Sequence, residues 1–277
     1  MKTVSDHWSV LTLKGNKQSV EIISAVLSEN SLGSIDKDDS ILLFFVPHNK
    51  DRLDVQLNEL SEKYMVDFSW SEQPLENWHL AWQDNFTPIN VEDKISIIPD
   101  WVVEYPHTEH IIRVKPAMAF GTGHHETTWL MLQALVHTNI EGCSILDLGT
   151  GSGILAIAAR KLGAGRITAV EYDPVCEENF NENRDLNRIP PENITYHTAD
   201  ATVWEDMDYD IILANINRNI LLEILPNLVL STAKIFLSGL LGTDEKLMRK
   251  SCNSFGFDII STQHKGEWML MELSDAN

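Results

Sequence analysis

The chain has 277 residues, enough for one or two domains and for a core that needs neither disulfides nor structural metal. With 43% apolar and 22% charged residues, extended disorder, collagen and coiled coil are excluded. Its 21 Lys and Arg against 41 Asp and Glu give a net charge of −20; such a surface repels phosphate backbones and attracts basic partners, although acidity also serves solubility.

The N-terminal part reads as a strand (HWSVLTLKG), a helix over Ser19–Asn30 with Ile22, Ile23, Val26 and Leu27 inward, and a strand (SILLFFVP). A helix over Asp51–Lys63 follows, with Leu53, Leu57 and Leu60 on one face, then a short strand at Met65–Phe68. This β-α-β-α-β order predicts a small α+β, ferredoxin-like domain over residues 1–70, with a linker over 71–90. The stretch from Trp70 to Pro116 is dense in Trp and Pro. Trp78, Trp82 and Phe86 are spaced by four as on one helix face, and the aromatics suit a packed junction between two domains, or else a hinge or a substrate rim. AFGTGHHETT then opens a helix running through Leu135.

From Ser144 strands and helices alternate. Strands SILDLG, RITAVE, ITYHTA, YDIILAN and AKIFLSG are separated by helices at 153–162, 174–186, 219–230 and 243–255. Two last strands, near Phe257–Gln263 and Trp268–Leu273, leave no room for a crossover helix and must form a hairpin. The expectation for residues 91–277 is a doubly wound, seven-stranded Rossmann-like α/β sheet ending in an antiparallel hairpin, the shape of class I methyltransferases.

Cys143, Cys176 and Cys252 lie far apart with no CxxC, which suits a reducing compartment. The N-terminus has no apolar signal core, and the longest clean apolar run, Ile41–Val46, is too short to span a bilayer. A cytoplasmic protein without membrane association is expected.

Gly149, Gly151 and Gly153 follow the strand ILDL with GxGxG spacing, and Asp147 precedes the first glycine by two. A dinucleotide loop reads GxGxxG. The pattern here suits a ligand without pyrophosphate, such as S-adenosylmethionine, with an acid for its amino group and loop N–H groups for its carboxylate; a tight turn alone is the other reading. Glu171 ends the second strand 22 residues after Gly149, where an acid accepts ribose hydroxyls in such sheets. Asp173, before Pro174, reads as a helix cap. Asp200 is a candidate for the adenine amino group or a plain loop acid. Asn215 ends the fourth strand, facing the methyl donor, while Asn217 and Asn219 suit capping of the next helix. Thr127 and Thr128 suit a loop that lids the cofactor. His124 and His125 are adjacent and no HExxH follows, so no metal is expected.

AFGTGHHETT, ILDLGTGSGILAIAARKLGA, VEYDP, LAN, LSGLL and GEWMLM together resemble the PrmA family, class I S-adenosylmethionine-dependent methyltransferases of large-subunit ribosomal protein eleven. The motifs span about Trp78 to Leu273; the segment before them agrees only in size and element order. The resemblance implies cofactor contacts at Thr128, Gly149, Glu171 and Asn215, with Phe120 beside the cofactor. It further implies an N-terminal module that holds the ribosomal protein, a repositioning linker, and methylation of amines, mainly lysine side chains, on a substrate free of the ribosome. A monomer without direct nucleic-acid binding is expected. Two positions depart from the family: Glu171 replaces its usual Asp, and Asn-Ile-Asn-Arg-Asn replaces its usual NILA. Rival readings are a class I methyltransferase for another protein or a small molecule, a nicotinamide oxidoreductase, and a silent binding protein on the same scaffold. GxGxG spacing and the intact glycines with Glu171 speak against the last two.

Overall fold

The computed structural model describes residues 7–28, 33–37, 40–45, 50–74, 88–103, 108–115 and 126–275. The helix read at Trp78–Phe86 and the cofactor neighbour Phe120 lie outside these residues. The chain divides into two compact units, Met1–Thr87 and Pro88–Asn277.

The smaller unit runs β1 (His7–Lys14), α1 (Lys17–Ser28), β2 (Gly33–Lys37), β3 (Ser40–Phe45), α2 (Lys50–Tyr64) and β4 (Asp67–Pro74). Its antiparallel sheet has the order β2-β3-β1-β4. β2, GSIDK, is an element that sequence reading missed: its one large apolar residue gives no alternation to detect. The core joins Leu11, Leu13 and Leu43 of the sheet to Val20, Ile23 and Leu27 of α1 and Leu53 and Leu57 of α2. Positions 20, 23 and 27 form one helical stripe. Val26 was expected inside but is 36% exposed, because it sits one step off that stripe. Trp70 Nε1 donates to Asp54 Oδ1 at 2.8 Å, tying β4 to α2.

The larger unit opens with a small sheet of β5 (Ile89–Val91), β6 (Ile95–Pro99) and β7 (His110–Val114), in that order. β5 and β6 are antiparallel, β6 and β7 parallel. This sheet was also missed: every residue of β6 is buried, and a short continuous apolar run has no period that marks it as a strand.

The main sheet follows. Its strands are β8 (Ile145–Leu148), β9 (Ile167–Glu171), β10 (Thr195–Thr198), β11 (Ile211–Asn215), β12 (Lys234–Leu241), β13 (Phe257–Lys265) and β14 (Trp268–Asp275). The helices are α3 (Glu126–Val136), α4 (Ile154–Lys161), α5 (Cys176–Leu186), α6 (Arg218–Leu228) and α7 (Glu245–Ser254). The order is β10-β9-β8-β11-β12-β14-β13. The first five strands are parallel, and β14 runs antiparallel to both neighbours. Strands covered on both faces read as continuous apolar runs: Leu146, Leu148, Ile212, Ala214, Ile235 and Leu237 share one buried cluster. The chain steps outward from β8 to β10, then returns to the other side of β8 as β11. That reversal opens a crevice at the C-terminal ends of β8 and β11, where open α/β sheets bind ligands. Among the described residues, no helix is long and apolar enough to cross a membrane.

Candidate functional site

Asp147 lies inside β8 and is 0% exposed. Its Oδ2 accepts Thr150 Oγ1 at 2.6 Å, while Oδ1 has no hydrogen-bond partner among the described residues. Burial pushes its carboxyl up to about 7; the Thr150 hydrogen bond and a weaker backbone one from Ala156 oppose this, and the nearby Glu171 carboxylate adds to it.

Gly149, Gly151 and Gly153 all have positive φ, at 72°, 53° and 80°, which L side chains rarely adopt. Space also demands two of them. A Cβ on Gly149 would lie 2.1 Å from Ile216 Cγ2, and one on Gly153 would lie 2.5 Å from the Phe180 ring. The Gly149 and Thr150 N–H groups bond to Val170 O at 2.8 and 3.0 Å, pinning the turn to β9.

Glu171, at the end of β9, closes over the same turn. Its Oε2 accepts the Gly151 N–H at 2.9 Å and its Oε1 the Asp173 N–H at 3.1 Å. Each carboxylate oxygen accepts more than one hydrogen bond, so this acid both shapes the loop and keeps acceptor capacity. Asp173 Oδ1 accepts the Val175 N–H at 3.0 Å; it caps the turn that leads into α5, which begins two residues beyond Pro174. Asp200 Oδ1 accepts both the N–H and the hydroxyl of Thr202 at 2.8 Å. It therefore caps a short 3₁₀ turn, Ala201–Val203, which is the loop-acid reading of that residue.

Asn215 ends β11 and is 9% exposed. Its Nδ2 donates a long 3.5 Å hydrogen bond to Thr128 Oγ1, and its Oδ1 has no partner among the described residues. Thr127 and Thr128 are both buried in the first turn of α3. Asn217, not Asn219, caps α6: its Oδ1 accepts the N–H groups of Asn219 and Ile220 at 3.0 and 3.1 Å. Asn219 instead accepts Arg218 Nη2 at 3.0 Å. Arg218 Nη1 reaches Asp244 Oδ1 at 2.9 Å, which links the unusual Asn-Ile-Asn-Arg-Asn segment to the turn after β12.

Asp147, the three glycines, Glu171, Thr128 and Asn215 thus come together at the reversal of strand order. Two contributors escaped sequence reading. Gly239, with φ 83°, sits at an irregularity in the β12–β14 pairing, and a Cβ there would lie 2.2 Å from Ile216 O. Gly149 and Gly239 therefore clamp Ile216, which fixes the direction of Asn215 just before it. Tyr196 of β10 stacks on Phe180 with ring centroids 4.6 Å apart; its buried hydroxyl has no partner among the described residues. Only the signal LSGLL was available for the first, and none for the second. Cys176 is no nucleophile, since burial pushes its thiol up to about 12. No group of three or more His, Cys, Asp or Glu that could hold a metal exists among the described residues.

A family model described as ribosomal protein L11 methyltransferase (PrmA) matches residues 9–275. A ribosomal protein L11 methyltransferase of Porphyromonas gingivalis is 33% identical over 264 residues, covering 92% of this chain and 90% of its own. One of Phocaeicola vulgatus is 37% identical over 208 residues, covering 73% of each chain. The crystal structure of a ribosomal protein L11 methylase from Lactobacillus delbrueckii subsp. bulgaricus superposes with a TM-score of 0.64 at 29% identity, over 69% of this chain and 100% of its own.

Proposed function

Because the chain belongs to the ribosomal protein L11 methyltransferase (PrmA) family, we propose that it transfers methyl groups from S-adenosylmethionine to amines of ribosomal protein L11, chiefly lysine side chains. The observation that carries this reading is a pair of buried acceptors with no donor among the described residues, Asp147 Oδ1 and Asn215 Oδ1. They sit on adjacent strands beside the glycine turn. Buried polar groups are nearly always matched, and an exception calls for a missing partner. Asp147 fits the cofactor's ammonium, and Asn215 fits the substrate amine.

When bound, the cofactor supplies a methyl group activated on a sulfonium. The chain's own residues supply alignment. Asp147 accepts the cofactor's amino group, Glu171 accepts ribose hydroxyls with its remaining lone pairs, and the glycine turn admits the ligand to the main chain. Among the described residues, Thr127 and Thr128 complete the cofactor surround. Asn215 orients the incoming amine without a charge of its own. That matters because only a neutral amine has the lone pair that attacks; a carboxylate there would hold the ammonium form. Burial in the crevice lowers the amine's pKa in the same direction.

We read the small unit as a ferredoxin-like, substrate-holding domain, on the strength of its β-α-β-β-α-β order and β2-β3-β1-β4 sheet. Net charge −20 would steer a basic ribosomal protein to the enzyme. An intracellular, metal-free monomer acting on free L11 completes the reading. Mass spectrometry of purified L11 incubated with enzyme and cofactor tests it: mass should rise in whole methyl increments, and Gly151→Val should abolish the rise. A chain beginning at Pro88 should keep cofactor binding and lose L11 methylation. L11 of unchanged mass beside an enzyme that binds cofactor would point to another acceptor.

A further inference from the structure

Helix α5 and its C-cap carry asparagines at every fourth position, Asn179, Asn183 and the cap residue Asn187, and all three are buried. Asparagine is a mediocre helix former, and burying an unmatched amide is costly, so three on one inward face demand partners. The partners are backbone groups of a single strand end. Asn187 Oδ1 accepts the Arg113 N–H at 2.9 Å and its Nδ2 donates to Arg113 O at 2.6 Å. Asn183 Oδ1 accepts the Lys115 N–H at 2.7 Å, and Asn179 Nδ2 donates to Lys115 O at 3.0 Å. β7 is an edge strand of its sheet. The asparagine amides stand where a further strand would pair, and they carry the pairing one residue past the strand's end.

Asn183 does one thing its neighbours do not. It is 0% exposed, and its Nδ2 donates to Ser152 O at 2.9 Å. Ser152 lies between Gly151 and Gly153. Lys115 directly precedes the segment that holds AFGTGHH. One side-chain amide therefore joins the end of β7 to the glycine turn, with its acceptor end on Lys115 and its donor end on Ser152.

We propose that Asn183 is a positioning residue that sets the register between the glycine turn and the end of β7 at Lys115, and through the turn the shape of the cofactor site. This rests on the reading of that site as one for S-adenosylmethionine. Asn187 provides the internal comparison, since it makes the same kind of bonds to the same strand but none to the glycine turn.

The test is amide hydrogen exchange on the ligand-free full chain, paired with calorimetry of S-adenosylhomocysteine binding, for Asn183→Ala and Asn187→Ala. Asn183→Ala should raise exchange roughly tenfold at Lys115 and across 149–153 together, and weaken binding roughly tenfold. Asn187→Ala should lower the melting temperature similarly, raise exchange at Arg113 alone, and change affinity by less than about threefold. Asn183→Ser is the fallback if the alanine variant does not fold. Parent-like exchange across 149–153 in the Asn183 variant, or an equal loss of affinity in both variants, would overturn the proposal. A parent that binds no S-adenosylhomocysteine would overturn the cofactor reading instead, while the exchange data still decide the coupling of the turn to β7.

Discussion

The asparagines of α5 and the strand-end acceptors Asp147 and Asn215 are all buried within one unit, yet they differ in how completely they are matched. Asn179, Asn183 and Asn187 meet backbone groups at 2.6 to 3.0 Å. Asp147 and Asn215 each keep an oxygen with no partner among the described residues. A matched buried amide stabilises the fold and directs the chain; an unmatched one lowers stability until a donor arrives. The first set builds the scaffold and the second is the proposed binding site, and the two should respond oppositely to substitution.

The largest effect is expected at Asn215. Asn215→Ala removes one strand-end amide held by a long 3.5 Å bond to Thr128 Oγ1, so melting should change little. Turnover should fall about 10²-fold, the scale at which lost alignment acts. Single-turnover methylation and thermal melting on one preparation separate these, and a lowered melting point with an unchanged rate would return Asn215 to the scaffold set.

Asp147 sharpens the contrast through pH. Its carboxyl lies above its unfolded value of 3.8, at about 7. Its stabilising contribution is therefore complete below the lower value and is lost as pH rises through the upper one. Asp147→Asn should make the ligand-free protein more stable at pH 8 by about 2 to 4 kcal/mol, with the gain vanishing near pH 4. Urea unfolding at the two pH values checks this; a variant less stable at pH 8 would mean that the carboxylate is already matched.

The smallest effect belongs to Asn217, the cap of α6. Asn217→Ala should lower stability by about 1 kcal/mol and leave turnover as it is, although it stands two residues from Asn215. A tenfold fall in rate would place it with the substrate instead.

The alternation of apolar strands with amphipathic helices after Ser144 made the main sheet legible, since that repeated order is written along the chain. The glycine turn, Asp147, Glu171 and Asn215 were legible because strand-end position and spacing are written along the chain. β2 and the β5–β7 sheet were not, for a strand of five residues or fewer shows no dependable period when it is polar, like GSIDK, or wholly buried, like ISIIP. The asparagine ladder was visible as a spacing of four in CEENFNENRDLN, but asparagine ordinarily signals caps and turns, and its backbone partners on other elements lie 31 to 74 positions away. The clamp of Gly149 and Gly239 on Ile216 depends on three strands meeting, which no local pattern encodes.

The claim that Asp147 awaits the cofactor is tested most directly by calorimetry of S-adenosylhomocysteine binding at pH 6.5, in two buffers of different ionisation enthalpy. Asp147 is mostly protonated there in the free protein and must ionise to receive an ammonium, so the parent should release more than about half a proton per ligand bound. Asp147→Asn should release none and bind more weakly. Equal proton release and equal affinity in the two proteins would contradict the account.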